Sequence, residues 1–191
     1  MSAPTSREKI VAAAGALMEK RGYHGTGLNE IIQVSQAPRG SLYYYFPEGK
    51  EELAAAAVEQ TGAVMAEFLE RDLDRHADIV AGLEAFFNGL AEHVVSNNCQ
   101  AGAPLAVIAL ETAGESERLR MTCQHAYRSV QAVLERKLRD NGYAARRSRD
   151  LAVLISAAIE GAVILARVER APAPIRTIAA ELGALLRITS R

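Results

Sequence analysis

Between Pro38 and Phe46 the chain reads PRGSLYYYF. Half of the six tyrosines stand here in a row, behind an arginine, a glycine and a serine. An arginine fork can donate two hydrogen bonds to guanine O6 and N7. Tyrosine and serine hydroxyls can reach phosphate oxygens and base edges. The stretch SLYYYF also has high strand propensity, and an isolated β-strand is one local reading. Two turn clusters, Pro38-Arg39-Gly40 and Pro47-Glu48-Gly49, leave few residues for such a strand, and the flanks read as helix. In a helix, Leu42 and Phe46 lie four apart and share one apolar face. Tyr43, Tyr44 and Tyr45 then fan out by about 100° each, so they cannot all enter one core.

Other chemistries find little support. The sequence holds no HExxH, paired CxxC, GxGxxG or GxSxG. Its four histidines are scattered. Neither a metal, a cofactor nor a catalytic set is expected. The stretch GYHGTG has no strand before it and reads as turn chemistry rather than a phosphate cradle. Cys99 and Cys123 form no patterned pair, which fits a reducing, cytoplasmic setting. The first ten residues lack the apolar segment of a secretory signal. No apolar stretch looks long enough to span a bilayer, so no membrane partner is expected. Net charge is −1. Residues 1–50 nevertheless carry six Lys and Arg against four Glu, while the remainder carries sixteen against nineteen acids. The basic excess at the N-terminus is a weak pointer to an anionic partner there.

The elements that must position these residues read as helices. Nearly half of the 191 residues are apolar, with no Trp, so a sizeable core is available. A first helix, capped by Thr5 or Ser6, buries Ile10, Val11, Ala14, Leu17 and Met18 and stops at Gly22. Thr26 reads as the cap of a second, with Leu28, Ile31 and Ile32 apolar. A third covers about 39–45, with Pro38 at its start and Phe46-Pro47 closing it. A long helix begins at Glu48 or Gly49 and runs to about Leu73, its buried stripe being Leu53, Ala57, Val64, Met65, Phe68 and Leu69. Lys50 in its first turn is unexpected for a helix dipole unless an anion sits there. Further helices are expected over about 76–95, 105–110, 115–140 and 145–169, the last with Leu151, Leu154, Ile155, Ile159, Val163 and Ile164 apolar. A ninth follows Ala171-Pro172-Ala173-Pro174, with Ile175, Ile178, Leu182, Leu185 and Ile188 apolar. The basic run around 136–149 reads as a solvated corner. The fold class is therefore all-α: a three-helix helix-turn-helix module over residues 1–48, then a six-helix domain over 49–191. Helices two and three, joined by about four residues, have helix-turn-helix spacing. The second helix of such a unit lies in the major groove with its N-terminal residues at base edges, where Arg39 and Ser41 stand and Gly40 permits close approach.

The stretch GTGLNEIIQVSQAPRGSLYYYFPEGKEEL resembles the operator-binding module of the TetR family of bacterial transcriptional regulators. The likeness runs through Thr26, Ile31-Ile32, Gly40, Leu42-Tyr43, Phe46 and Lys50-Glu51-Glu52-Leu53, and covers about Arg7 to Leu53. The blocks FPEGKEEL and APLAVIALE (103–111) are similar to the LmrA-like subgroup, often linked to multidrug-efflux or oxidoreductase genes. The resemblance implies DNA contacts from Thr26, Arg39, Gly40, Ser41, Tyr43, Tyr44, Tyr45 and Lys50, with Thr26 and Lys50 at phosphates. Three positions depart from the pattern. Gln36 stands where a glycine tolerates positive φ. Gly27 replaces the second Thr of a common pair, and Ala103 replaces a subgroup cysteine.

The resemblance also implies a helical ligand-binding and dimerisation domain. For an inducer cavity the candidates are Phe68, Phe86, Phe87, Leu90, Ile108, Met121, Tyr127 and Val130, with His93, Cys123 and Glu111 supplying polarity. For each apolar one, ordinary core is the competing reading. Ala158, Ala162, Leu182 and Leu185, on helices rich in small residues, are candidates for a homodimer interface, with packing inside one subunit as the competing reading. The expected function is a dimeric repressor that binds a palindromic double-stranded DNA operator and is released by a small hydrophobic or aromatic inducer. The alternative is a helical ligand-binding protein or enzyme that uses the same cavity without DNA.

Overall fold

The structure is a computed structural model, and it describes residues 3–100, 102 and 104–189. Ala103 and the side chain of Ile188 lie outside the described residues. The described residues form helices and no strand: α1 (Ser6–Arg21), α2 (Leu28–Ser35), α3 (Arg39–Tyr45), α4 (Lys50–Asp74), α5 (Ile79–Ser96), α6 (Pro104–Thr112), α7 (Glu117–Asp140), α8 (Ala145–Glu169) and α9 (Ala173–Thr189). They pack as two compact units. One holds the chain up to Gly62 together with Pro104–Ala126, and the other holds the rest. The tyrosine run is helical, so the strand reading falls.

In the first unit, α1 opens with a capping box. Thr5 Oγ1 accepts the Glu8 amide at 3.3 Å, and Glu8 Oε2 accepts the Thr5 amide at 2.7 Å. Gly22, at φ 76°, ends the helix, with its amide on Met18 O at 2.8 Å. Ile10, Val11, Ala14 and Met18 bury the face that meets α2, α3 and α6. Gly27, not Thr26, caps α2, and without a side-chain hydrogen bond. Inward-facing Ile31, Leu42 and Phe46 close the trihelical core. Helices this short are marginal alone, so this shared core is what holds them.

The second unit is built on α5, α8 and α9, which pack on one another. Asp78 caps α5, accepting the Val80 and Ala81 amides. That places the start of α5 three residues later than the sequence pattern suggests. Leu151, Ile155, Ile159 and Val163 of α8 are buried. Leu154 and Ile164, expected among them, lie on the opposite, exposed face, because α8 is apolar on two sides. For the same reason α8 is, by length and composition, apolar enough to cross a bilayer, contrary to the sequence expectation. Val64 of α4 is likewise exposed rather than buried. The basic corner is tied down: Arg136 Nη2 meets Glu70 at 2.9 Å and Asp74 at 3.4 Å, and Lys137 is buried against Asp74.

Candidate nucleic-acid interface and effector cavity

Helix α3 is held by its inward residues and by the turn before it. Gln36 takes the left-handed conformation, φ 53° and ψ 21°. This is the backbone state for which the family pattern carries glycine, and an L-residue there costs about 1–2 kcal/mol. Ser35 offsets part of that strain. Its buried hydroxyl donates to Ile32 O at 3.1 Å and accepts the Ala37 amide at 3.3 Å. The sequence reading missed this brace, although a serine two residues before a turn amide is its usual signature.

With Leu42 and Phe46 buried, the three tyrosines point away from the core. Tyr43 is 53% exposed, Tyr44 79% and Tyr45 36%. Tyr44 and Tyr45 meet edge-on at 5.0 Å. Arg39 is exposed, with Nη2 donating to Asn29 Oδ1 of α2 at 3.1 Å. That bond orients the guanidinium along the α2–α3 face. Ser41 is half-buried at the start of α3. A Cβ on Gly40 would meet nothing within 4 Å, so no neighbour in the subunit requires a bare backbone there.

Two of the residues expected at phosphates are placed differently. Thr26 is wholly buried and its hydroxyl donates to Gly22 O at 2.8 Å, so its side chain offers nothing to a phosphate. It braces the entry to α2 instead. Lys50 lies with Nζ 4.5 Å above the Tyr23 ring. Burial lowers its pKa from the usual lysine value, and the nearby Glu111 carboxylate opposes that shift. Burial also raises the Tyr23 phenol, with Glu51 and Glu115 adding to the shift.

Glu111 was expected beside a ligand. Its carboxylate instead abuts Gly22 and accepts the His24 amide at 3.0 Å. Glu115 meets the His24 imidazole at 3.3 Å, Arg118 meets Glu48 at 2.5 Å, and the Ser116 hydroxyl binds Glu51. Together these contacts tie α6 and the start of α7 to the helix-turn-helix within the first unit. Ile108 and Cys123 are buried in the same unit. Burial raises the Cys123 thiol, which makes it a core side chain rather than a reactive one.

The second unit contains a small, partly open cavity with room for about one water. Met65 and Leu69 of α4 and Phe86 of α5 form one side. Tyr127 and Val130 of α7, with Ser156, Ile159 and Glu160 of α8, form the other. Of the candidate lining residues, Phe86, Tyr127 and Val130 reach it. Phe87 is buried elsewhere in the core, and Leu90 does not line the cavity. Phe68 meets Phe86 at 5.6 Å with the rings tilted by 58°, and it lies under the Arg71 guanidinium at 4.4 Å. Glu160 was missed. Its signal was legible: it is the only charged residue between Asp150 and Arg167.

Of the interface candidates, Ala162 and Leu182 are buried within the subunit, while Ala158 and Leu185 are half-buried. The open face of α8 is a different stripe: Leu154, Ala157, Gly161, Ile164, Leu165 and Val168. Its spacing keeps one side of the helix apolar.

Comparison with known proteins agrees with this architecture. Residues 10–57 match the sequence model of bacterial regulatory proteins of the tetR family. Residues 79–181 match the C-terminal domain of LmrA/YxaF-like transcriptional regulators. The chain is 39% identical to the uncharacterized HTH-type transcriptional regulator YxaF of Bacillus subtilis, over 95% of each chain. It is 37% identical to the HTH-type transcriptional regulator LmrA of the same organism, over 98% of this chain and all of the relative. These relatives are transcriptional regulators and not enzymes. In fold, it superposes on a TetR transcriptional regulator from Legionella pneumophila with a TM-score of 0.84, at 21% identity, covering 97% of this chain and 99% of the other. The reduced form of NemR from Escherichia coli gives a TM-score of 0.80 at 23% identity, covering 93% and 95%.

Proposed function

Because the chain belongs to the TetR family of bacterial regulatory proteins, with an LmrA/YxaF-like C-terminal domain, we propose that it is a cytoplasmic repressor that binds a palindromic operator as a homodimer and leaves it when a small apolar or aromatic inducer binds. One observation carries the DNA role: α3 buries Leu42 and Phe46 while presenting Arg39 and three exposed tyrosines on its other faces. Arg39 reads a base edge, Ser41 and the tyrosines take phosphates or base edges, and Gly40 lets the backbone approach the duplex. Lys50 reaches a phosphate by leaving the Tyr23 ring. Residues 1–48 form the reading head, and 49–191 bind effector and partner.

Two copies pair through the open stripe of α8, where Ala157 and Gly161 allow close approach. Twofold symmetry then sets two recognition helices about 34 Å apart, one turn of DNA. Helix α4 begins just after α3 and carries Met65 and Leu69 to the cavity. An inducer that enlarges the cavity shifts α4 and so favours the released conformation. It acts only through tighter binding to that conformation.

Selection of genomic fragments by the pure protein, repeated at rising salt, tests this reading. Arg39→Ala is expected to weaken selected fragments by about 1–3 kcal/mol per recognition helix. No sequence-selective retention, or unchanged affinity in an Arg39→Ala/Tyr44→Ala double variant, sinks the repressor.

A further inference from the structure

The cavity of the second unit is apolar except at three side chains, and two of these are satisfied. Ser156 Oγ donates to Ala152 O at 2.8 Å. The Tyr127 hydroxyl donates to Glu160 Oε1 at 3.0 Å. Glu160 Oε2 is shut off from solvent and has no hydrogen-bond partner among the described residues. A buried carboxylate oxygen without a protein donor is costly, and a donor from outside the protein, a water or a ligand, lowers that cost. Burial accordingly raises the Glu160 carboxyl above the usual range, with the Tyr127 hydrogen bond opposing the shift.

We propose that Glu160 anchors the ammonium group of a flat, apolar cation, whose body occupies an enlarged cavity between Phe86, Met65 and Ile159. The choice of a cation follows from charge. A neutral donor would leave a net negative charge buried in apolar surroundings, whereas an ammonium cancels it and gives Oε2 its missing donor. Tyr127 holds Oε1, so Oε2 is the oxygen left for the ligand. The cavity as it stands takes little more than a water, so the aromatic body enters by displacing neighbours. Met65, with its three rotatable bonds and half-exposed position, is the side chain best suited to move. This assignment deepens the inducer reading and names the ligand class for it.

The test uses three probes with one body: 2-naphthylmethylammonium, 2-naphthol and 2-naphthoate. Calorimetric and thermal-shift titrations are made on the full chain without DNA, so failure of the operator reading leaves them interpretable. The ammonium probe is expected to bind, 2-naphthol more weakly, and 2-naphthoate not at all. Glu160→Gln, which removes the charge at nearly constant shape, is expected to lose about tenfold or more in affinity for the ammonium probe. Glu160→Asp, which keeps the charge, is expected to keep the order of the three probes, and a cooperative melt of each variant in the same thermal-shift runs guards against a Glu160→Gln protein that does not fold. Equal binding of the ammonium by wild type and Glu160→Gln, a preference for naphthoate, or no binding of the ammonium overturns the assignment. Binding of the ammonium without release of DNA would overturn the inducer role alone.

Discussion

Single residues carry two of the sharpest expectations. Gln36 holds a left-handed backbone that glycine adopts freely. Gln36→Gly should therefore raise stability by about 1 kcal/mol, less the chain entropy of the added glycine. A melting curve would show a rise of up to about 2 °C. Unchanged or lower melting would mean that Ser35 already absorbs the strain. Glu160 gives the second. Its carboxyl pKa is raised by burial above the unfolded value, near 4.5. Below that value both states hold the proton, and the group is neutral to stability. As pH climbs through it, the unfolded chain releases a proton that the folded chain keeps, so stability falls until the raised pKa is passed. Glu160→Gln lacks this slope. Denaturant midpoints of wild type and variant should diverge in the variant's favour as pH rises from 4 through neutrality, to an extent the site's hydration sets. Parallel midpoints would show Glu160 to be solvated. Both sites were partly legible. Gln36 stood out against the family turn. Glu160 is visible as a lone charge in an apolar helix, but only the packing shows that it turns to Tyr127 rather than to solvent. Thr26 went the other way: its residue type suits a phosphate, and only its burial shows that the hydroxyl is spent.

At the level of elements, apolar periodicity located the helices well, because each buries a continuous stripe. It did not distinguish a buried stripe from a second apolar face, and so Leu154 and Ile164 were misplaced in the core. Nor does periodicity show where two helices touch backbone to backbone. Such a contact lies in the first unit, where α4 and α7 cross at Gly62. A Cβ there would stand 2.5 Å from the Ala126 Cβ and 3.0 Å from its Cα. Gly62→Ala should cost about 1–2 kcal/mol from overpacking, although alanine is the better helix former. Adding Ala126→Gly should recover part of the loss, and chemical unfolding of the single and double variants measures the coupling. Additive costs would mean that the helices separate freely. The cavity was the least legible feature. Its walls come from four helices far apart in sequence, and only their packing selects Phe86 and Tyr127 from among the candidate aromatics and leaves out Phe87.

For the whole molecule, the proposed pairing through the exposed α8 stripe ties assembly to DNA affinity. Leu165→Glu, at a position 49% exposed in the subunit, should leave the fold intact and yield monomers by sedimentation. Losing one of two heads should also roughly halve the dependence of log affinity on log salt, because about half as many phosphates are neutralised. A Leu165→Glu protein that stays dimeric would place the interface elsewhere. The tyrosine run has an optical consequence as well. The chain has no tryptophan and six tyrosines. Its near-ultraviolet emission is thus tyrosine emission, and half of the emitters lie exposed on α3. Bases stacked on those rings would quench them by electron transfer. Tyr127 is a separate emitter, hydrogen-bonded to Glu160 Oε1 at the cavity. The proposed operator binding and cavity occupancy should therefore each change that emission in the unlabelled protein.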